Sequence, residues 1–192
     1  MNKQLVVIAG PSGSGKDAII RAITDSHPQC VRLVTATTRL PRPGEQEGVD
    51  YFYFSMERFD EETAAGNILE HRYVPNLDTH YGIYKPDLER KLGEGKIIFA
   101  QVDIIGARFL KQNYNATTVF VMPESIEQFR GRLKARNPEW SQKEFDARMA
   151  ISEEEIRVHA PEYDYRVVNA DGLLSQTVDQ VVEILQKEGY SL

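Results

Sequence analysis

Eight residues near the start of the chain, Gly10-Pro11-Ser12-Gly13-Ser14-Gly15-Lys16-Asp17, constrain the fold more than any other stretch. They fit the phosphate-loop pattern G-x-x-x-x-G-K-[ST] at every position but the last, where Asp17 stands. The apolar run Leu5–Ala9 precedes them and Ala18-Ile19-Ile20-Arg21-Ala22-Ile23 follows, which reads as buried strand, glycine-rich turn and helix. Glycines let the backbone curl around an anion, since side chains would keep the amides away. The helix aims its N-terminal N–H groups and positive dipole end at the same place. Lys16 adds a mobile point charge for the outer phosphates. The plain alternative is a strand-to-helix turn that binds nothing; the flanking strand and helix favour a bound phosphate.

A chain of 192 residues is most simply one domain with a substantial core and room for small inserts. Its formal net charge of −6 excludes a molecule built as a whole to attract nucleic acid or an anionic membrane, so phosphate binding must come from clustered cations. The one cysteine, Cys30, rules out an internal disulfide and reads as a small buried apolar residue in a reducing compartment. The N-terminal apolar stretch breaks at Gly10, too short for a span and wrong for a signal peptide. The expectation is a cytoplasmic protein, monomer or homodimer, with no nucleic-acid or membrane partner.

Strand and helix patterns alternate: strand 5–9, helix 17–26, strand 31–35, then an irregular basic segment. Tyr51–Phe54 reads as a short strand and Ser55 as the cap of a helix to about Ala65. Extended structure resumes at Ile68, a loop covers Pro75–His80, and a short helix covers 86–93. The strand Ile97–Val102 ends at Asp103, followed by a helix (about 105–112), the strand Thr118–Met122 and an arginine-bearing helix from Ser125 to about Arg136. Ser141-Gln142-Lys143-Glu144 is a capping box for a long helix ending near His159. Strand Tyr165–Asn169 and amphipathic helix Ser175–Glu188 close the chain. Continuously apolar strands separated by helices predict an α/β fold with a mainly parallel sheet covered on both faces. Right-handed crossovers then bring ligands to the carboxyl ends of the strands, where Lys16 and Asp103 lie. Two polar inserts, roughly 36–85 and 128–156, interrupt the pattern and are candidate mobile flaps.

In the first insert, Thr35-Ala36-Thr37-Thr38-Arg39-Leu40-Pro41-Arg42-Pro43-Gly44-Glu45 sets two guanidinium groups on a proline-stiffened turn. Each can grip a phosphate bidentately, and Tyr51 and Tyr81 offer hydroxyls. Alone, this is equally a solvated basic turn; beside a phosphate loop it implies a second phosphate site.

The spacing Arg39-x-x-Arg42-Pro43-Gly44-Glu45-x-x-Gly48-x-x-Tyr51 runs on into Phe52-Tyr53-Phe54. With Ile68-Leu69-Glu70, Tyr81-Gly82, Asp103-x-x-Gly106-Ala107 and Val168-Asn169, the pattern closely resembles guanylate kinase over nearly the whole chain. The resemblance implies a P-loop NTPase-type fold with core segments 1–35, 86–127 and 157–192, a nucleoside-monophosphate-binding region at 36–85 and a lid at 128–156. It implies transfer of the ATP γ-phosphoryl group to GMP with Mg²⁺. Arg39, Arg42, Tyr51 and Tyr81 match positions that hold the GMP phosphate, while Glu70 and Thr35 match positions facing guanine. Gly10, Pro11, Ser12, Gly13, Ser14, Gly15, Lys16 and Asp17 would hold ATP phosphates, and Asn169 falls where the family contacts adenine. Asp103 is expected beside GMP and, with Asp17, near the metal. Arg132, Arg136 and Arg148 match lid arginines that act with Lys16 in catalysis.

Elementary chemistry agrees with those roles. Guanine presents N1–H and N2–H on one edge, so a fixed carboxylate accepts both, whereas adenine would leave Glu70 unpaired. Phosphoryl transfer needs in-line placement and positive charge more than covalent help. Arg132 and Arg136, four apart, share a helical face. Bland alternatives stand beside these: a solvated arginine face, a surface salt bridge for Glu70, a strand-end cap for Asp103.

The chain departs from the family pattern at Asp17 (for Ser or Thr), Ile83 (for a Ser or Thr touching the base), Gln101 (for an acid) and Ile105 (for glutamine), and its loop before Tyr81 is longer. Asp17 and Ile83 keep open a relative, ribose 1,5-bisphosphate phosphokinase, that acts on another phosphorylated acceptor. A non-catalytic guanylate-kinase-like binding module is the rival from another class, though such modules tend to lose the lysine and lid arginines kept here.

Overall fold

A computed structural model describes residues 3–192 apart from the side chains of Asn76 and Arg136. Its core is a five-stranded sheet of order β2-β7-β1-β8-β9, parallel throughout. The strands are β1 (Leu5–Ala9), β2 (Cys30–Arg32), β7 (Ile97–Ala100), β8 (Thr117–Met122) and β9 (Tyr165–Val168). Because successive side chains alternate across a strand, β1 feeds both faces. Val6 and Ile8 pack with Ile19 and Ile23 of α1 (Lys16–Ser26) and with Val181 and Leu185 of the C-terminal helix, Leu174–Lys187. Leu5, Val7 and Ala9 pack the other way, onto Leu88 of α3 (Lys85–Gly93) and Ala107 and Leu110 of α4 (Ile104–Tyr114). Burying each large aliphatic side chain contributes about 1.5–3 kcal/mol. The expected α/β sheet covered on both faces is present.

The expected strand 31–35 is two strands in two sheets. β2 ends at Arg32, and β3 (Thr35–Thr37) joins a second sheet of order β4-β3-β6-β5, with β4 at Tyr51–Tyr53, β5 at Ile68–Val74 and β6 at Thr79–Tyr84. A buried ion pair fixes the crossing: Lys91 Nζ donates to Arg32 O (2.6 Å) and Asp87 Oδ2 (2.5 Å), and Asp87 Oδ2 accepts from Val34 N (3.0 Å). Phe59 of α2 (Met56–Ala64), capped by Ser55, packs with Ala36, Phe54 and Ile68 under this sheet. The loop expected over Pro75–His80 is instead a single 3-10 turn, Pro75–Leu77, closing the β5–β6 hairpin.

α5 (Ile126–Arg136) and α6 (Gln142–Glu154) pack through Phe129, Leu133, Phe145 and Met149, with Trp140 against them. The Ser141–Glu144 capping box forms as expected. The helix beyond it changes register, continuing as a π-helical turn over Glu155–His159. No described helix is long and apolar enough to cross a membrane.

Candidate active site

The phosphate loop leaves β1 at Gly10 and enters α1 at Lys16. Gly15, at φ +97°, is the helix N-cap and carries no side-chain cap, leaving the helix start open to a ligand. Glycine is obligatory there, since a Cβ at Gly15 would lie 2.1 Å from Asn169 Nδ2. Lys16 Nζ folds back over the loop, donating to Gly10 O (2.6 Å) and Pro11 O (2.9 Å). A cleft lined by Gly13, Gly15, Lys16, Asp17, Ala18 and Arg132 opens beside it. Pro11 and Ser14 are buried within the loop and Ser12 is exposed.

Arg132 reaches this cleft from α5, donating to Asn169 O (3.0 Å) and pairing with Asp171. Arg148 does not reach it; its guanidinium lies 5.5 Å from the Trp140 ring centre on the exposed side of α6. The side chain of Arg136 lies outside the described residues. Asn169 is only 7% exposed, its Nδ2 donates to Ser14 O (2.8 Å) and its Oδ1 accepts from Thr177 (3.3 Å). With both amide ends engaged, it braces the loop from behind.

The second site is a cavity of about 240 Å³ between the two sheets, lined by Thr35, Tyr51, Glu70, Arg72, Tyr81, Ile83 and Asp103 among others. Glu70, Arg72 and Val74 line it at every second position of β5, as strand geometry requires. A register shift between Ile68 and His71 falls across Glu70, the kind of bulge that re-aims a side chain. Two glycines admit it. A Cβ at Gly82 would meet Ile68 at 2.6 Å, and one at Gly106 would stand 3.2 Å from Glu70 Oε2. Glu70 Oε1 is buried with no hydrogen-bond partner. Burial, and then the neighbouring Asp103 charge, push its pKa up to about 7 against the opposing pull of Arg72.

Arg39, Tyr51 and Tyr81 gather at one rim of this cavity: the Arg39 guanidinium is 5.3 Å from the Tyr51 ring centre, and the two tyrosine rings are 5.9 Å apart. Glu45 holds Arg39 in a two-pronged grip (2.8 and 2.9 Å), which lowers the Glu45 pKa to about 2 and raises that of Arg39. Arg42 is exposed and joins the group through its amide, which donates to Glu45 (2.7 Å). Ile83 is 1% exposed and belongs to the core as much as to the cavity wall.

Among the described residues no group of three or more His, Cys, Asp or Glu converges as a metal site. A cation here would therefore take most of its ligands from nucleotide phosphates and water, the usual way for magnesium. Asp17, exposed at the head of α1 beside the loop cleft, suits that arrangement. Asp103, the other carboxylate expected near the metal, is engaged by protein groups. Its Oδ1 caps α4 by accepting from Ile105 N (3.0 Å) and Gly106 N (3.1 Å), and its Oδ2 accepts from Arg72 (3.1 Å). Sequence reasoning passed over Arg72 and Arg32. The first was legible as the residue two beyond Glu70 on one strand face; the second had only the oddity of a charge ending an apolar strand.

The guanylate kinase family model matches residues 2–188 of the chain. A guanylate kinase from Thermosynechococcus vestitus is 38% identical over 169 residues, covering 88% of this chain and 86% of the relative. Another, from Coxiella burnetii, is 35% identical over 190 residues, covering 98% and 89%. The crystal structure of guanylate kinase from Anaplasma phagocytophilum superimposes with a TM-score of 0.72 at 26% identity, covering 98% of this chain and 87% of that one. A phosphate loop facing one cleft, a carboxylate with one buried, unpartnered oxygen in another, and likeness along the whole length agree: the chain belongs to the guanylate kinase family.

Proposed function

We propose that the protein transfers the γ-phosphoryl group of ATP to GMP, giving ADP and GDP. The observation that carries this reading is the buried, unpartnered Oε1 of Glu70 inside a nucleotide-sized cavity. Leaving it unpaired costs about 1–3 kcal/mol, which a ligand presenting two adjacent N–H groups removes. Guanine presents such a pair; a sugar bisphosphate does not. Arg39, Tyr51 and Tyr81 take the GMP phosphate at the rim, with Arg42 swinging in from solvent, and Thr35 meets the base.

On the donor side the loop amides from Gly10 to Asp17 and Lys16 hold the ATP phosphates. Asp17, with Asp103 nearby, would hold Mg²⁺, which would supply charge neutralisation on the phosphates. Arg132 enters from α5, and Arg136 and Arg148 complete the positive shell. Arg148 must leave Trp140 to do so, which makes residues 128–156 a lid and 36–85 the closing region for GMP. Closure excludes water and so protects ATP from hydrolysis.

The test is ADP release with Mg²⁺-ATP while GMP, AMP, UMP and ribose 1,5-bisphosphate are offered in parallel. Selective turnover of GMP is expected. Turnover of the sugar bisphosphate alone, or of none of the four, would sink the proposal.

A further inference from the structure

Asp17 and Gln101, one beside each cleft, are joined through one side chain. Arg32 Nη1 lies 3.4 Å from Asp17 Oδ1, and Arg32 Nη2 donates to Gln101 Oε1 (3.1 Å). Asp17 opens the helix below the phosphate loop, while Gln101 lines the acceptor cavity, so the guanidinium lies at the seam between the two sites. Its backbone is not free to drift. Arg32 O accepts from Lys91 Nζ (2.6 Å), and Lys91, 7% exposed, is paired in turn with the buried Asp87. A fixed anchor and a planar fork make a preorganised cation.

An aspartate at the end of a phosphate loop poses a charge problem. A triphosphate arriving at the helix start, which should attract it, meets the like charge of the exposed Asp17 carboxylate. Gln101 is neutral, so it orients Arg32 without consuming its charge. We infer that Arg32 is the counter-cation that lets the phosphate loop accept a nucleotide beside Asp17, a positioning residue for the donor site supplied from the edge strand of the core sheet. In this arrangement Asp17 is held by Arg32 until a metal-bound nucleotide engages it, and Arg32 then remains as positive charge between donor and acceptor. The inference rests on the donor site assigned above.

The test is a double-mutant cycle read by calorimetric binding of ADP to native protein, Arg32→Gln, Asp17→Ser and the double variant, with EDTA and then with Mg²⁺. Without metal, Arg32→Gln should weaken ADP about tenfold in the native background and less than about twofold beside Asp17→Ser. With Mg²⁺ the penalty should shrink, because the metal supplies positive charge opposite Asp17; a merely structural role would not distinguish the two conditions. Arg32→Lys should recover most of the affinity, which guards against a folding defect in the glutamine variant. Equal losses in both backgrounds, or no loss at all, would overturn the inference while leaving native turnover of GMP intact. Failure of the native protein to bind ADP would instead overturn the donor-site assignment on which it stands.

Discussion

The donor and acceptor sites solve the problem of holding a nucleotide in opposite ways. On the donor side most polar groups are engaged: Lys16 donates to loop carbonyls, Asn169 braces Ser14 O, and Arg132 is held by Asp171 and Asn169, while the Ser14 hydroxyl is buried without a partner. On the acceptor side a carboxylate oxygen of Glu70 is buried with nothing to bond. A preorganised backbone cradle binds any triphosphate tail, because phosphates look alike. An unsatisfied buried acceptor discriminates, because only a ligand with matching donors relieves it. On the proposed reading, affinity is built mainly into one site and selectivity into the other.

That contrast breaks most easily at Lys16. Lys16→Met should lower kcat by on the order of 10³-fold while leaving GMP affinity near native, since the lost charge serves the transferring phosphates. Steady-state rates with calorimetric GMP binding check this, and a matching loss of GMP affinity would blur the two sites into one. Next in size, Glu70→Ala should cut kcat/KM for GMP by on the order of 10²-fold, with ATP binding nearly unchanged. Equal losses for both nucleotides would remove Glu70 from the base site.

The Glu70 pKa of about 7 sharpens the comparison through pH. Guanine needs the carboxylate, and at pH 6 only about a tenth of Glu70 is ionised, so GMP should bind about tenfold more weakly at pH 6 than at pH 8. Glu70→Gln should flatten that profile, and metal-free ADP titrated in parallel should not share it. The smallest effect concerns the empty protein. A carboxyl whose folded pKa is raised from 4.5 to about 7 keeps, in that window, a proton that the unfolded chain releases. Native stability therefore gains from Glu70 as pH falls from about 7 toward 4.5. The stability advantage of Glu70→Gln should shrink over the same range in thermal melts; a constant difference would mean that the carboxyl is not desolvated.

Much of this was legible in the primary structure. The loop, the apolar strands and the Ser55 and Ser141 caps follow from spacing and periodicity, which are local, whereas the grouping of Arg39 with Tyr51 and Tyr81 was implied by the resemblance. What was not legible shares a cause. Asn169 and Asp103 carry residue types suited to ligands, and the fold also engages each with backbone groups distant or newly exposed, Ser14 O and the α4 amides. The strand read as 31–35 is split because the Asp87–Lys91 pair, more than fifty residues away, pins both sides of the crossing.

The sequence by itself determined most of the elements, their order and the chemistry at the head of α1, because helix, strand and phosphate-loop signals depend on neighbours along the chain. Tertiary structure alone decided which polar groups are used up and which are left wanting. Glu70 is a candidate base reader because one of its carboxylate oxygens is buried without a partner, beside a bulge and close to Gly106. Arg32 matters because the core sheet delivers it to Asp17 and Gln101 at once. Those facts rest on hydrogen-bond satisfaction across distant segments, a property of the packed molecule and of no single stretch.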